Sequence, residues 1–239
     1  MERRRRASPA GARERSFPPM TTPLHAERLR VVRETVMRLQ ARTVLDLGCG
    51  DGDLIIELAR LPGVERIEGV DVSRDALERL QARRAEAEVG AAPRGATVVL
   101  HHGQISALGP AFAGFDVATL VEVIEHVDPE RLSTLERAVF RAARPRFVVM
   151  TTPNADFNDA LGVPRGRFRH PGHRFEWGRQ RFRSWCEGVA SRTAYAVNCT
   201  DLGVRRAPMG AESQMALFSR EAQVDGARPS LSRPPRWAL

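Results

Sequence analysis

Lysine is absent from this 239-residue chain, and all 37 basic residues are arginine. Without lysine there is no amine for a Schiff base, no lysine base and no Walker-A phosphate clamp, which excludes P-loop nucleotidases and lysine-dependent ligases. Cysteine is scarce too. Cys49, Cys186 and Cys199 show no CxxC spacing and are too few for a disulfide framework. No apolar run approaches the roughly 18 residues that span a bilayer, and the arginines at 3–6 lead into no signal-peptide core. These absences point to a reduced, cytoplasmic protein with no membrane partner. One domain fits the length, at about 150 residues per domain, and 42% apolar with 28% charged residues suits a globular fold.

The formal net charge is +8 and unevenly placed. Residues 1–20 carry six arginines against two acids, and residues 220–239 carry four against two. Residues 165–183 hold seven arginines against Glu176 alone, so the rest of the chain is acidic. Positive charge gathered in one patch and two tails suits an anionic partner. The tails hold too little apolar surface to order themselves. The reading is therefore a disordered arm at 1–20, a domain at 21–219 and a disordered basic tail at 220–239.

Between the tails, strand and helix periodicities alternate. Leu29, Val32, Val36 and Leu39 repeat at helical spacing, and residues 54–60, 74–88, 129–142 and 179–189 also read as helices. Residues 43–47, 66–70, 97–101, 115–121 and 146–151 read as strands, with late strands at 193–198 and 214–219. Alternation of this kind predicts an α/β fold with a parallel sheet covered on both faces.

The first strand runs into Gly48-Cys49-Gly50-Asp51-Gly52 and then a helix. Glycines there allow a tight turn and close approach of a ligand to backbone. Asp46 lies within that strand, and Asp71 ends the next one, where a carboxylate can take both hydroxyls of a ribose. The spacing is GxGxG, unlike the GxGxxG of a dinucleotide fingerprint. The string VLDLGCGDGDL followed by GVDVS resembles motifs one and two of class I S-adenosylmethionine-dependent methyltransferases. The resemblance implies a Rossmann-like, mostly parallel seven-stranded sheet with helices on both faces. It also implies S-adenosylmethionine as cofactor, held by Asp46, Gly48, Gly50, Gly52 and Asp71, with Gln104 near the adenine.

The fourth strand runs into Glu122-Val123-Ile124-Glu125-His126. Side chains that leave a strand at its carboxyl end face the ligand crevice of an open α/β sheet. Two carboxylates at 4 Å repel by about 4 kcal/mol at an effective dielectric near 20. A divalent cation bound by both offsets that repulsion, with His126 as a third ligand. Downstream, His170 and His173 stand three apart in a loop after the fifth strand, which opens at the same edge.

Together, EVIEH, then Thr152-Pro153-Asn154, then His170-Pro171-Gly172-His173-Arg174-Phe175-Glu176-Trp177 resemble one group, the RNA 3′-terminal ribose 2′-O-methyltransferases. Residues near 17–28 resemble the group's lead-in helix, and Ser213-Gln214-Met215-Ala216 its last strand, so the likeness covers roughly 16–219. It implies that Glu122, Glu125, His126 and His173 bind one divalent cation, magnesium or manganese, which holds the 2′ and 3′ hydroxyls of the last nucleotide. The 2′ oxygen then attacks the sulfonium methyl, and His170 or His126 relays the proton, with His170 as the unligated base. The group usually carries an acid where this chain has Gly172. The partner so implied is an RNA 3′ end. Arg165, Arg167, Arg169, Arg174 and Arg179 would meet phosphates, with Phe168, Phe175, Trp177 and Phe182 interleaved for stacking on bases. Two other readings are open at this point: a metal-free methyltransferase acting on a small molecule, and an RNA-binding module without catalysis.

Overall fold

The computed structural model describes residues 22–88 and 95–220, so the arm at 1–20 and the tail beyond Arg220 lie outside the described residues. The chain enters through helix α1 (Pro23–Arg38), capped by Thr22, whose hydroxyl accepts from the His25 N–H at 3.2 Å. Its buried stripe is Arg28, Leu29, Val32, Thr35 and Val36, the spacing expected of one helix face. An arginine inside that stripe has a specific partner, given below. Then follow β1 (Thr43–Leu47), α2 (Asp53–Leu58), β2 (Arg66–Asp71), α3 (Arg74–Glu88), β3 (Thr97–His102) and β4 (Val117–Val121). Next come α4 (Leu132–Arg137), which continues through a wider π-type turn to Ala143, then β5 (Phe147–Pro153) and α5 (Arg179–Thr193). The chain closes on β6 (Tyr195–Arg206) and β7 (Gly210–Arg220).

The seven strands form one sheet in the order β3-β2-β1-β4-β5-β7-β6. β1 to β5 pair in parallel, whereas β7 is antiparallel to both β5 and β6. The sheet is thus mixed, which corrects the expectation of a parallel one from strand–helix alternation. The cause is the connection. Only three residues, 207–209, join β6 to β7, and a parallel return needs a crossover of a dozen or more.

Apolar side chains cover both faces. One face packs Leu45, Leu120, Phe140, Phe182 and Phe218, and the other Val32, Val36, Val44, Ile55 and Ile67. At β1 the chain order reverses, with β2 on one side and β4 on the other. The crevice beyond the carboxyl ends of β1 and β4 is where such sheets take ligands. Among the described residues no helix is long and apolar enough to cross a membrane.

Candidate active site

The turn after β1 depends on glycine. Gly48 and Gly52 have φ of +77° and +79°, a left-handed backbone that disfavours side chains. A Cβ on Gly52 would stand 2.0 Å from Leu80 Cδ1, and one on Gly48 2.7 Å from Val123 Cγ2. The Gly50 N–H donates to Asp71 Oδ2 at 2.8 Å, and the Ser73 N–H to Asp71 Oδ1 at 2.7 Å, so the acid ending β2 is clamped to the turn. A cleft of about 680 Å³ opens there, walled by Gly48, Asp71 and Gln104 on one side and by Glu122 and His126 on the other. Gln104 Oε1 accepts from Arg131 and Ser106, which leaves its amide Nε2 to donate. Asp46, Gly50 and Gly52 are set back from the wall. Asp46 is buried, accepts from Thr119 Oγ1 at 2.6 Å, and has its pKa pushed up to about 6 by burial, with the Asp71 charge adding.

Where β4 ends, Glu122 takes φ of +56°, a conformation strained for a side chain. Its N–H donates to the Thr151 carbonyl at 3.1 Å, and its Oε1 accepts from Thr151 Oγ1 at 3.0 Å. Its Oε2 pairs with Arg28 Nη2 at 3.1 Å, and Arg28 Nε donates to Ser213 Oγ. Thus the arginine on the buried stripe of α1 balances this carboxylate. Glu125 is fully buried; its Oε2 accepts from Thr152 Oγ1 at 3.0 Å, and its Oε1 has no partner. Burial pushes both carboxyls up, and for Glu125 the neighbouring Glu122 charge adds to it.

Three imidazoles meet beside these acids. One ring nitrogen from each of His126, His170 and His173 lies within 4.8 Å of the others. His126 Nδ1 faces the Gly172 carbonyl at 3.1 Å, so Nδ1 donates and Nε2 keeps its lone pair. His173 Nδ1 faces Glu176 Oε1 at 2.5 Å and does the same. His170 is opposite: its Nδ1 accepts from the Gly172 N–H at 3.0 Å, so the neutral ring carries its proton on Nε2. Burial also holds His126 below the usual imidazole range, which favours the neutral form that metals bind. Burial works against the charge of Glu176, but hydrogen bonds from His173, Asn158 and the Arg169 N–H outweigh it and lower its pKa.

This arrangement differs in part from the expected quartet. His126 and His173 come together, but His170 joins them, while Glu122 and Glu125 fall outside the tight group. Each oxygen of Glu122 has one partner, so a cation reaching it would share the carboxylate with Arg28 and Thr151. The donor set nonetheless fits a divalent cation. Glu125 presents a buried oxygen without a partner, and two imidazoles are fixed with lone pairs outward.

The arginine patch divides sharply. The Arg169 guanidinium is turned to the protein: three of its five N–H groups donate to Asn158 Oδ1, the Glu212 carbonyl and the Asn154 carbonyl. Arg179 is held by Asp156 and the Pro208 carbonyl, and Arg174 stands exposed 3.4 Å from Asp128. Arg165 and Arg167 are exposed. Of the four aromatics, Phe175, Trp177 and Phe182 are buried in the core and only Phe168 faces outward.

The comparisons accord with this geometry. A family model described as a methyltransferase domain matches residues 44–146. The solved methyltransferase domain of bacterial CtHen1-C is 35% identical and superposes at a TM-score of 0.72, covering 83% of this chain and all of that one. The chain belongs to the Hen1 methyltransferase family. Its fold is that of the class I S-adenosylmethionine-dependent methyltransferases. The solved small RNA methyltransferase HEN1 is 28% identical with a TM-score of 0.77, over 90% of this chain and 27% of that one. A curated relative from Gallus gallus, a small RNA 2′-O-methyltransferase, is 36% identical over 84% of this chain. The chain spans about half the length of such curated relatives, 55% in that case.

Several site residues escaped sequence reasoning. Val72, 64% exposed at the cleft, carries only the signal of an apolar residue after a strand-ending acid. Arg28 carried a clearer one, a charge on the apolar face of an amphipathic helix. Gly172 carried one as well, standing where the resembled group usually has an acid, and Glu176 lies in the block that carries the resemblance; that the Gly172 carbonyl and Glu176 hold the imidazoles is what the contacts add.

Proposed function

We propose that this Hen1-family chain moves a methyl group from S-adenosylmethionine to the 2′ hydroxyl of the 3′-terminal ribose of RNA, with one divalent cation at the histidine–glutamate cluster. One observation carries the reading: Glu122 and His126 wall the same cleft as Gly48 and Asp71, so methyl donor and acceptor sites adjoin. Glu125, His126 and His173 would hold the cation, with Glu122 alongside. When bound it lowers the pKa of a coordinated hydroxyl and orients it. The imidazole content disfavours magnesium, which prefers oxygen ligands, and suits a transition-metal dication better.

The chain's own residues do the rest. Asp71 would accept from the ribose hydroxyls of the donor, and Gln104 Nε2 would donate to its adenine. The Gly172 carbonyl and Glu176 hold two imidazoles in the tautomer with Nε2 unprotonated. His170 offers an N–H in this state and becomes a proton acceptor only by giving up its Gly172 bond. Arg165, Arg167 and Arg174 supply charge for the RNA backbone. The arginine-rich segments 1–20 and 220–239 would add salt-dependent affinity without sequence choice.

The test is transfer of labelled methyl to a short RNA with a free terminal 2′,3′-diol. Label is expected on that RNA, not on its 3′-phosphate or 2′-O-methyl forms. EDTA should abolish transfer and manganese restore it. Labelling of a small molecule alone, unaffected by EDTA, refutes the reading in favour of a metal-free small-molecule enzyme.

A further inference from the structure

We infer that Phe168 is the stacking platform for the base of the penultimate nucleotide; this rests on the RNA substrate proposed above. Phe168 is 47% exposed, whereas Phe175, Trp177 and Phe182 of the same segment are 7%, 5% and 1% exposed. Of the four rings in the segment it is the one that a ligand can reach. The loop is not loose. Asn158 Nδ2 donates to Glu176 Oε2, and Asn158 Oδ1 accepts from Arg169 Nε. The Arg169 N–H donates at 2.7 Å to Glu176 Oε1, the same oxygen that receives His173 Nδ1.

One carboxylate oxygen therefore ties the backbone next to Phe168 to the imidazole cluster. With the Arg169 side chain locked inward, its neighbour is left on the outer side. Only Arg169 separates Phe168 from His170, at most about 7 Å of chain, which puts the ring within reach of the nucleotide next to the reacting terminus. Exposed Arg165 and Arg167 flank it, charges complementary to phosphates. An aromatic face among arginines holds a base by stacking without choosing its sequence.

The experiment uses a short RNA with 2-aminopurine at the penultimate position and a second RNA with an abasic ribose there. Wild type and Phe168→Trp are expected to quench the 2-aminopurine on binding, and Phe168→Ala is not. Phe168→Ala should raise KM on the base-containing RNA by roughly 5- to 150-fold, the worth of one stacked base, with kcat unchanged. On the abasic RNA all three proteins should behave alike. RNA binding by wild type without quenching, or equal losses for Phe168→Ala on both RNAs, overturns the inference while leaving the substrate reading intact. Failure of wild type to bind either RNA instead overturns the substrate reading and this inference with it.

Discussion

Replacing Asp46 with asparagine should change how folding stability depends on pH, and the size of the change follows from where Asp46 sits. It is a buried carboxyl beneath the glycine turn, with one bond from Thr119 and a pKa raised from 3.8 to about 6. Below about pH 3 the group is protonated in both folded and unfolded chains and contributes nothing. As pH rises through the unfolded value, the unfolded chain ionises first while the folded one holds its proton, so stability falls. The fall ends above the folded pKa. About two pKa units correspond to roughly 3 kcal/mol. Asparagine does not ionise, and its Oδ1 can still accept from Thr119. Urea unfolding of both proteins from pH 3 to 7 should therefore show the variant gaining on wild type by about 3 kcal/mol, most of it between pH 4 and 6. Titrations of groups that do not feel Asp46 are common to both proteins and cancel in the difference. A pH-independent difference refutes the placement of Asp46 as an ionisable group paid no compensating charge.

Two other substitutions probe the turn and the imidazoles. Gly52→Ala combines a left-handed backbone with a collision at Leu80, and should cost roughly 2–5 kcal/mol, read as a lowered thermal midpoint. Glu176→Gln puts an amide where the carboxylate receives His173, the Arg169 N–H and Asn158. Manganese affinity measured by electron paramagnetic resonance should fall about 10- to 100-fold. Unchanged affinity would mean that Glu176 does not orient His173.

Much of this fold was legible because its signals are local. Val44, Leu45 and Leu47 mark a buried strand, and the glycines after them permit a turn that few other residues allow. The same holds for α1, whose apolar stripe repeats every three or four residues. The final hairpin was read short because β6 loses its alternation after Asn198, where Cys199, Thr200 and Asp201 are all half-buried, and does not recover it past Leu202. A register shift lies between Leu202 and Arg205, and Arg205 and Arg206 are exposed, so period-two alternation disappears. The site divides the same way. Asp71, Gln104 and His126 could be placed because each sits at or just past a strand end, but the roles of Arg28 and Gly172 exist only through contacts with the distant Glu122 and His126. Arg169 shows what a count of charge leaves out: three of its N–H groups are directed to Asn158, Asn154 and Glu212, which no local pattern signals.

The irregular end of β6 has a consequence of its own. β6 is the outermost strand of the sheet, and among the described residues nothing pairs with its far side. A long flat edge is a template on which identical molecules stack and precipitate. The kink past Leu202 and the two guanidinium groups after it spoil that template, so the feature that hid the strand from pattern reading also discourages self-association.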